Sequence, residues 1–182
     1  MKSIIVIAFL SLTLSVDAQK FVTRDDISIE NGIYLVKATH SPFTGKVATL
    51  FPNEQVEGLT YVKRGKRTGK EITFYDSGKK KVLSYEDDNF NNYGHVKVWD
   101  ENGSLTFKGK WFNGKLYKKG EDVPFTGTIT CNYKNGGVYE TVEFRDGLWH
   151  GKQIRRDRNG NIIFECIYRN NKIVDCPVYN KR

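Results

Sequence analysis

The stretch Asn113-Gly114-Lys115-Leu116-Tyr117-Lys118-Lys119-Gly120-Glu121-Asp122-Val123-Pro124-Phe125-Thr126-Gly127 decides how this chain is read. Its frame stands 82 residues earlier as Asn31-Gly32 followed by Pro42-Phe43-Thr44-Gly45. The same offset carries Asn53 to Asn135, Gly65 to Gly147, Gly69 to Gly151 and Gly78 to Gly160. Turn-forming residues recur in phase, so the chain is built from repeats.

A shorter period lies inside the long one. Gly45, Gly69, Gly94, Gly127 and Gly151 open successive units at steps of 24, 25, 33 and 24 residues, the long step reading as an insertion from Lys118 to Val123. Each unit runs from its glycine through a short alternating segment, a turn, a second segment and a second turn. Asn102-Gly103, Asn113-Gly114, Asp146-Gly147 and Asn159-Gly160 fall at those turns. Asn-Gly and Asp-Gly supply the positive φ angles of tight hairpins, so each unit is expected to be two strands. The expected fold is all-β: an elongated antiparallel meander of about five hairpin repeats in one twisted or rolled sheet. At roughly 4.8 Å per strand, ten strands would extend on the order of 50 Å.

The repeats occupy 41–171, with units starting near 45, 69, 94, 127 and 151. Residues 19–40 read as an N-terminal capping strand region and 172–182 as a C-terminal tail that protects the other end of the sheet. Residues 1–18 have the form of a signal peptide: Lys2, an apolar core from Ile4 to Leu14, then Val16-Asp17-Ala18 as a cleavage site. The apolar run is shorter than the roughly 20 residues a spanning helix needs. Export to a periplasmic or extracellular space, with cleavage near Ala18, is therefore expected.

Composition fits strands. Ten Tyr, eleven Phe and three Trp stand against a single Met, and aromatic residues pack well on a pleated surface. Tyr85, Trp111, Phe144 and Tyr168, with Val62 in the first unit, recur near the second turn of each unit; they read as the spine of the core, with an aromatic binding platform as the alternative. Of Cys131, Cys166 and Cys176, the pair Cys166–Cys176 is the preferred disulfide, stapling the tail to the last hairpin, against no disulfide at all.

The net charge of +8 favours acidic partners. The positives fall mostly at predicted turns (Lys63, Arg64, Lys66, Arg67; Lys79, Lys80, Lys81; Arg155, Arg156, Arg158), where solubility and protection of strand edges account for them as well as binding does. His40, His95 and His150 hold unrelated places in the repeat frame, so no metal site is expected. Paired acids such as Asp25-Asp26, Asp87-Asp88, Asp100-Glu101 and Glu121-Asp122 lie in or beside turns, no catalytic residues are expected, and no cofactor motif is present. Asn102-Gly103-Ser104 meets the pattern for N-glycosylation.

A unit that opens on glycine with an aromatic, then Asn-Gly, then an aromatic and a second Asn-Gly or Asp-Gly resembles the bacterial variant of the MORN repeat, as in YwqK-family antitoxins. Pro42-Phe43-Thr44-Gly45, Pro124-Phe125-Thr126-Gly127 and the run Phe144-Arg145-Asp146-Gly147-Leu148-Trp149-His150-Gly151-Lys152 carry the resemblance, which covers about residues 31–175. Glu54 departs from it where glycine is usual, as does Glu86-Asp87-Asp88 in place of Asn-Gly. The resemblance implies a rolled hairpin sheet, no catalysis and a role in binding other proteins, with affinity for phosphoinositide membranes proposed in eukaryotic relatives.

The leading expectation is thus a non-catalytic, exported, monomeric repeat protein that binds another protein, a toxin if the antitoxin likeness extends to function. Peripheral binding of anionic lipid or acidic glycan through basic turns is the alternative, and nucleic acid is not expected. Exposed aromatics and basic residues beside turns are the candidate contacts: Arg64, Arg67, Trp99, Trp149 and Arg155.

Overall fold

A computed structural model describes residues 21–85 and 94–179. The expected signal peptide, its cleavage point near Ala18 and the Glu86-Asp87-Asp88 turn lie outside the described residues. Fifteen strands run in order through the rest. The first three are β1 (Val22–Thr23), β2 (Ile27–Glu30) and β3 (Ile33–Val36). The next seven are β4 (Gly45–Leu50), β5 (Val56–Lys63), β6 (Lys66–Phe74), β7 (Lys80–Tyr85), β8 (Gly94–Trp99), β9 (Leu105–Phe112) and β10 (Lys115–Lys118). The last five are β11 (Gly127–Asn132), β12 (Val138–Arg145), β13 (Leu148–Arg156), β14 (Ile162–Arg169) and β15 (Lys172–Tyr179). One 3₁₀ turn, Arg24–Asp26, follows β1, and no α-helix is present among the described residues.

The 82-residue repeat is visible strand by strand. Strands β3, β4, β5 and β6 begin and end 82 residues before β10, β11, β12 and β13. Non-glycine turn residues sit in the left-handed region as the sequence requires, with φ of 49° at Asn31, 48° at Asn113 and 50° at Asp146. Arg64 takes the same conformation at φ 50° without the short polar side chain that tolerates it.

Apart from the parallel β1–β4 pair, the strands form an antiparallel meander, but in three sheets rather than one. An eight-stranded sheet runs β1-β4-β5-β6-β7-β8-β9-β10, a five-stranded sheet runs β11 to β15, and β2 pairs with β3 alone. Both breaks fall at Pro-Phe-Thr-Gly. Proline has no N–H for a ladder, and only single bridges, Leu35 to Pro42 and Tyr117 to Pro124, form there. Instead of continuing the ladder, the chain folds back on the next hairpin turn. Tyr34 N–H donates to the Gly65 carbonyl at 2.8 Å and Gly65 N–H to Phe43 at 2.7 Å, and the copy repeats this with Leu116, Gly147 and Phe125 at 2.9 and 2.8 Å. The turn is pinned further by Arg64 N–H on Thr44 Oγ1 and Asp146 N–H on Thr126 Oγ1. Residues 118–123 are therefore no insertion: the first copy has the same corner at 36–41.

The two corners turn the sheets toward each other, and the core lies between them. Tyr75, Val96, Val98, Phe107, Leu116, Cys131, Tyr133, Tyr139 and Phe144 form the larger cluster, and Ile27, Tyr34, Val47 and Val62 the smaller. Trp111, Phe144, Trp149 and Tyr168 follow one another at centroid distances of 6.3, 5.8 and 4.9 Å. The expected spine thus holds except at Tyr85, which is 43% exposed. Tyr85 stands 82 residues before Ile167, one short of Tyr168, and a one-residue slip in a strand moves a side chain to the opposite face. At the C-terminus, β15 pairs with β14 as a full strand, and Cys166 is joined to Cys176 by a disulfide. Cys131 is a buried free thiol whose pKa burial pushes up to about 12.

Candidate functional site

The pairs β4–β5, β6–β7, β8–β9, β11–β12 and β13–β14 each carry a one-residue register shift near the turn that joins them. Between β4 and β5, Thr49 faces Gly58 and Leu50 faces Val56, leaving Glu57 as the extra residue. Between β6 and β7 the extra residue is Lys81, and between β11 and β12 it is Tyr139. A bulge re-aims the residue it inserts. Lys81, which simple alternation from the inward-facing Val82 would send to solvent, turns into the space between the sheets.

Four charged or amide side chains meet there. Lys81 Nζ lies 2.7 Å from Glu140 Oε2. The other oxygen of Glu140 accepts hydrogen bonds from Gln153 Nε2 at 2.7 Å and Arg155 Nε at 2.8 Å. Arg155 also reaches across to Glu57 at 3.6 Å, and Lys81 lies 4.7 Å from the centre of the Tyr139 ring. Burial alone would raise the Glu140 pKa, but Lys81 and Arg155 hold its carboxylate well below the usual range. Burial alone would also lower the Lys81 pKa, and Glu140 with Tyr139 outweighs it, so the ammonium stays charged. A second link joins the sheets at the turns. Arg158 bonds Asp76 and, at 2.7 Å, Glu101, and packs 4.6 Å from the Tyr133 ring centre.

Above this network lies a cavity of about 360 Å³, lined by Arg67, Glu71, Lys81, Arg155, Glu57 and the small residues Gly58, Thr60 and Thr73. It shares Arg24, Thr49, Glu57 and Arg155 with a larger groove of about 980 Å³ whose walls add Phe51, Tyr133, Tyr139, Arg158 and Phe164. The repeat itself explains the space. At the equivalent positions of the second copy, Gly58 becomes Glu140, Thr60 becomes Val142, Val62 becomes Phe144 and Arg67 becomes Trp149. The second copy fills its inner face with bulk; the first leaves it open and polar. Thr73 Oγ1 lies buried in that lining with no hydrogen-bond partner among the described residues.

Of the residues singled out in the sequence, Arg67 and Arg155 come together in this cavity, Arg67 paired with Glu71 at 2.8 Å. Arg64 is exposed at the β5–β6 turn, outside the lining. Trp99 is half-buried beside the core: its carbonyl accepts the Tyr75 hydroxyl and Lys80 lies over its ring at 5.6 Å. Trp149 is half-buried and packs between Phe144 and Tyr168. The basic residues assigned to turns need a similar correction, since Arg67, Lys81 and Arg155 lie in strands and face the interior. Lys81, Glu140, Gln153, Glu57 and Glu71 were missed. Setting the copies side by side at 82 would have exposed the small-for-large exchanges, but no sequence pattern announces the bulges. Among the described residues no group of three or more His, Cys, Asp or Glu is placed to hold a metal ion.

Residues 149–170, the β13–β14 hairpin, match the family model of the MORN repeat variant. That match supports a MORN-repeat protein. The hairpin it covers has its structural equivalent 82 residues earlier in β6 and β7, which share its turn and pairing pattern. No curated protein and no solved structure matches the chain. A MORN repeat suggests a repeat protein that binds other molecules.

Proposed function

We propose that this is a non-catalytic, exported binding protein that holds a segment of a partner protein in the trough between its two repeat copies, in the manner of an immunity protein on its toxin. The observation that carries the reading is the asymmetry of the copies: the fold repeats, and only the first copy has small polar residues at the inner positions. The cavity and the groove, taken separately, each fall in the range of roughly 300–1,000 Å³ common to ligand sites. Acids, bases and aromatic rings alternate along the walls, which suits a peptide, whose side chains offer all three complements.

The way the charged groups are spent supports binding over catalysis. Glu140 accepts hydrogen bonds from Lys81, Gln153 and Arg155 and is held deprotonated, so it has no proton to give and little basicity to offer.

The test grafts the second copy onto the first. Val62→Phe, Arg67→Trp and Glu71→Gln reproduce Phe144, Trp149 and Gln153 at the equivalent positions and fill the cavity. With the purified protein as bait in its native extracytoplasmic fraction, one stoichiometric partner protein should be recovered by the natural chain and lost with the grafted one. Recovery of the same partner by both would remove the trough from the interaction.

A further inference from the structure

The outer face of the eight-stranded sheet, turned away from the trough, carries a second and separate pattern. Lys46 pairs across the strands with Tyr61, and Lys70 with Tyr85. The Lys70 ammonium lies over the Tyr61 ring at 4.5 Å and the Tyr85 ring at 5.8 Å, and Lys46 over Tyr61 at 5.6 Å. Farther along, Lys110 stands between His95 and Tyr117, 5.7 Å over the latter ring. Lysines and aromatic rings thus share one row from β4 to β10. The adjoining row is equally one-sided: it passes from Ala48 through Leu59, Ile72 and Leu83 to Lys97 and Lys108. Neither row contains an acid, and none of these lysines has a salt-bridge partner among the described residues. Lys119, and after it Lys97, crowd Lys108 closely enough to lower its pKa.

The second copy shows that the repeat does not require this. The positions 82 residues after Lys46, Tyr61, Lys70 and Tyr85 hold Thr128, Glu143, Lys152 and Ile167, and Lys152 is tied to Glu165 at 2.8 Å. One outer face is a cationic ladder; its counterpart is neutralised.

We infer that the ladder is a docking surface for a linear acidic polysaccharide, a chain bearing carboxylates or sulfates at regular intervals. Lys46 and Lys70 stand two strands, or about 10 Å, apart, Lys110 lies three strands, or about 14 Å, beyond Lys70, and the row extends over about 30 Å at a strand spacing of roughly 4.8 Å. That geometry fits repeated charges along a polymer. Ring contacts hold the ammonium groups in place before the ligand arrives, which reduces the ordering cost of binding. An ammonium group over each tyrosine ring competes with the base stacking by which single-stranded nucleic acid is held. The apolar members of the adjoining row are buried or half-buried and do not project into a bilayer.

The experiment is titration of the purified protein with heparin and polygalacturonate oligosaccharides, with neutral dextran, anionic phospholipid vesicles and an oligothymidylate strand as comparisons. Binding to an acidic oligosaccharide should weaken with salt. Each of Lys70→Gln and Lys110→Gln should lower affinity roughly two- to fivefold, the worth of an exposed ion pair. Lys152→Gln, at the position equivalent to Lys70, should leave it unchanged. The inference is overturned if neither acidic oligosaccharide binds, if Lys152→Gln weakens binding as much as Lys70→Gln, or if vesicles or oligothymidylate bind more tightly than both oligosaccharides with the same dependence on Lys70 and Lys110. Because the ladder and the trough lie on opposite faces, the cavity-filling graft should not affect this binding, and loss of one activity leaves the other to be measured alone.

Discussion

Arg158 is ion-paired with Asp76, the residue 82 positions earlier that occupies the same place in the other copy of the repeat. The 82-residue repeat carries an acid at this turn in one copy and a base in the other, and the folding of one sheet over the other brings those turns together. The same guanidinium holds Glu101, which is 4% exposed, and Glu101 in turn accepts the Lys134 N–H at 2.8 Å. Two sheets that share no ladder are thereby locked by side chains.

This lock is pH-dependent. The hydrogen bonds from Arg158, opposed by burial, lower the Glu101 pKa from 4.5 to about 2. Because the folded value lies below the unfolded one, the stabilisation is complete above pH 4.5 and is lost as pH falls from there through 2. Urea titrations from pH 6 to pH 2.5 should show stability declining over that window, and Glu101→Gln should flatten the decline at a loss of about 2 kcal/mol at pH 6.

The buried network should be harder to break than the turn lock. Glu140→Leu strands Lys81 and Arg155 without their shared carboxylate, and removing one side of a buried pair costs about 3–5 kcal/mol. Adding Lys81→Met removes the stranded ammonium, and the double variant should recover part of the loss in the same denaturation assay. No recovery would mean that Arg155 and Gln153 carry the whole dependence on Glu140.

Gly147 and Gly103 separate space from backbone strain. Both have positive φ, 77° and 91°, but a Cβ on Gly147 would meet Leu116 N at 2.8 Å and Leu116 O at 2.9 Å, whereas one on Gly103 would meet nothing within 4 Å. Gly103→Ala should therefore cost about 1 kcal/mol from conformation alone, and Gly147→Ala about 3 kcal/mol because the corner must open as well. Equal losses in thermal unfolding would show that the corner is not tightly closed.

Arg64 offers the reverse change. Its φ of 50° is that of Asn31, Asn113 and Asp146 at other turns, and its N–H bond to Thr44 comes from the backbone. Arg64→Asn should raise stability by about 1 kcal/mol through relief of the left-handed conformation. A fall in the melting temperature would show that the Arg64 side chain makes a contribution of its own.

Cys166→Ser with Cys176→Ser opens a ten-residue separation and should cost about 2–3 kcal/mol by the loop-entropy relation. The loss should be confined to β14 and β15, so hydrogen exchange should rise there and stay unchanged in β4 to β6.

Much of the local structure was legible in the residues alone. Asn-Gly and Asp-Gly turns at a fixed period are local, and they announce hairpins whatever the rest of the chain does; the 82-residue offset then predicts that two copies adopt one fold. What escaped is what depends on contacts between elements distant in sequence. Pro42 and Pro124 end a ladder, but that the chain then docks on Gly65 and Gly147, dividing one meander into separate sheets, is a tertiary event. The inward turn of Glu57, Lys81 and Tyr139 comes from single-residue register shifts, which a period-two pattern does not record. The open cavity exists because small residues of one copy face the charged network of the other. Strand and turn are written in neighbouring residues; the trough and the outer ladder are set by which strands the fold places side by side.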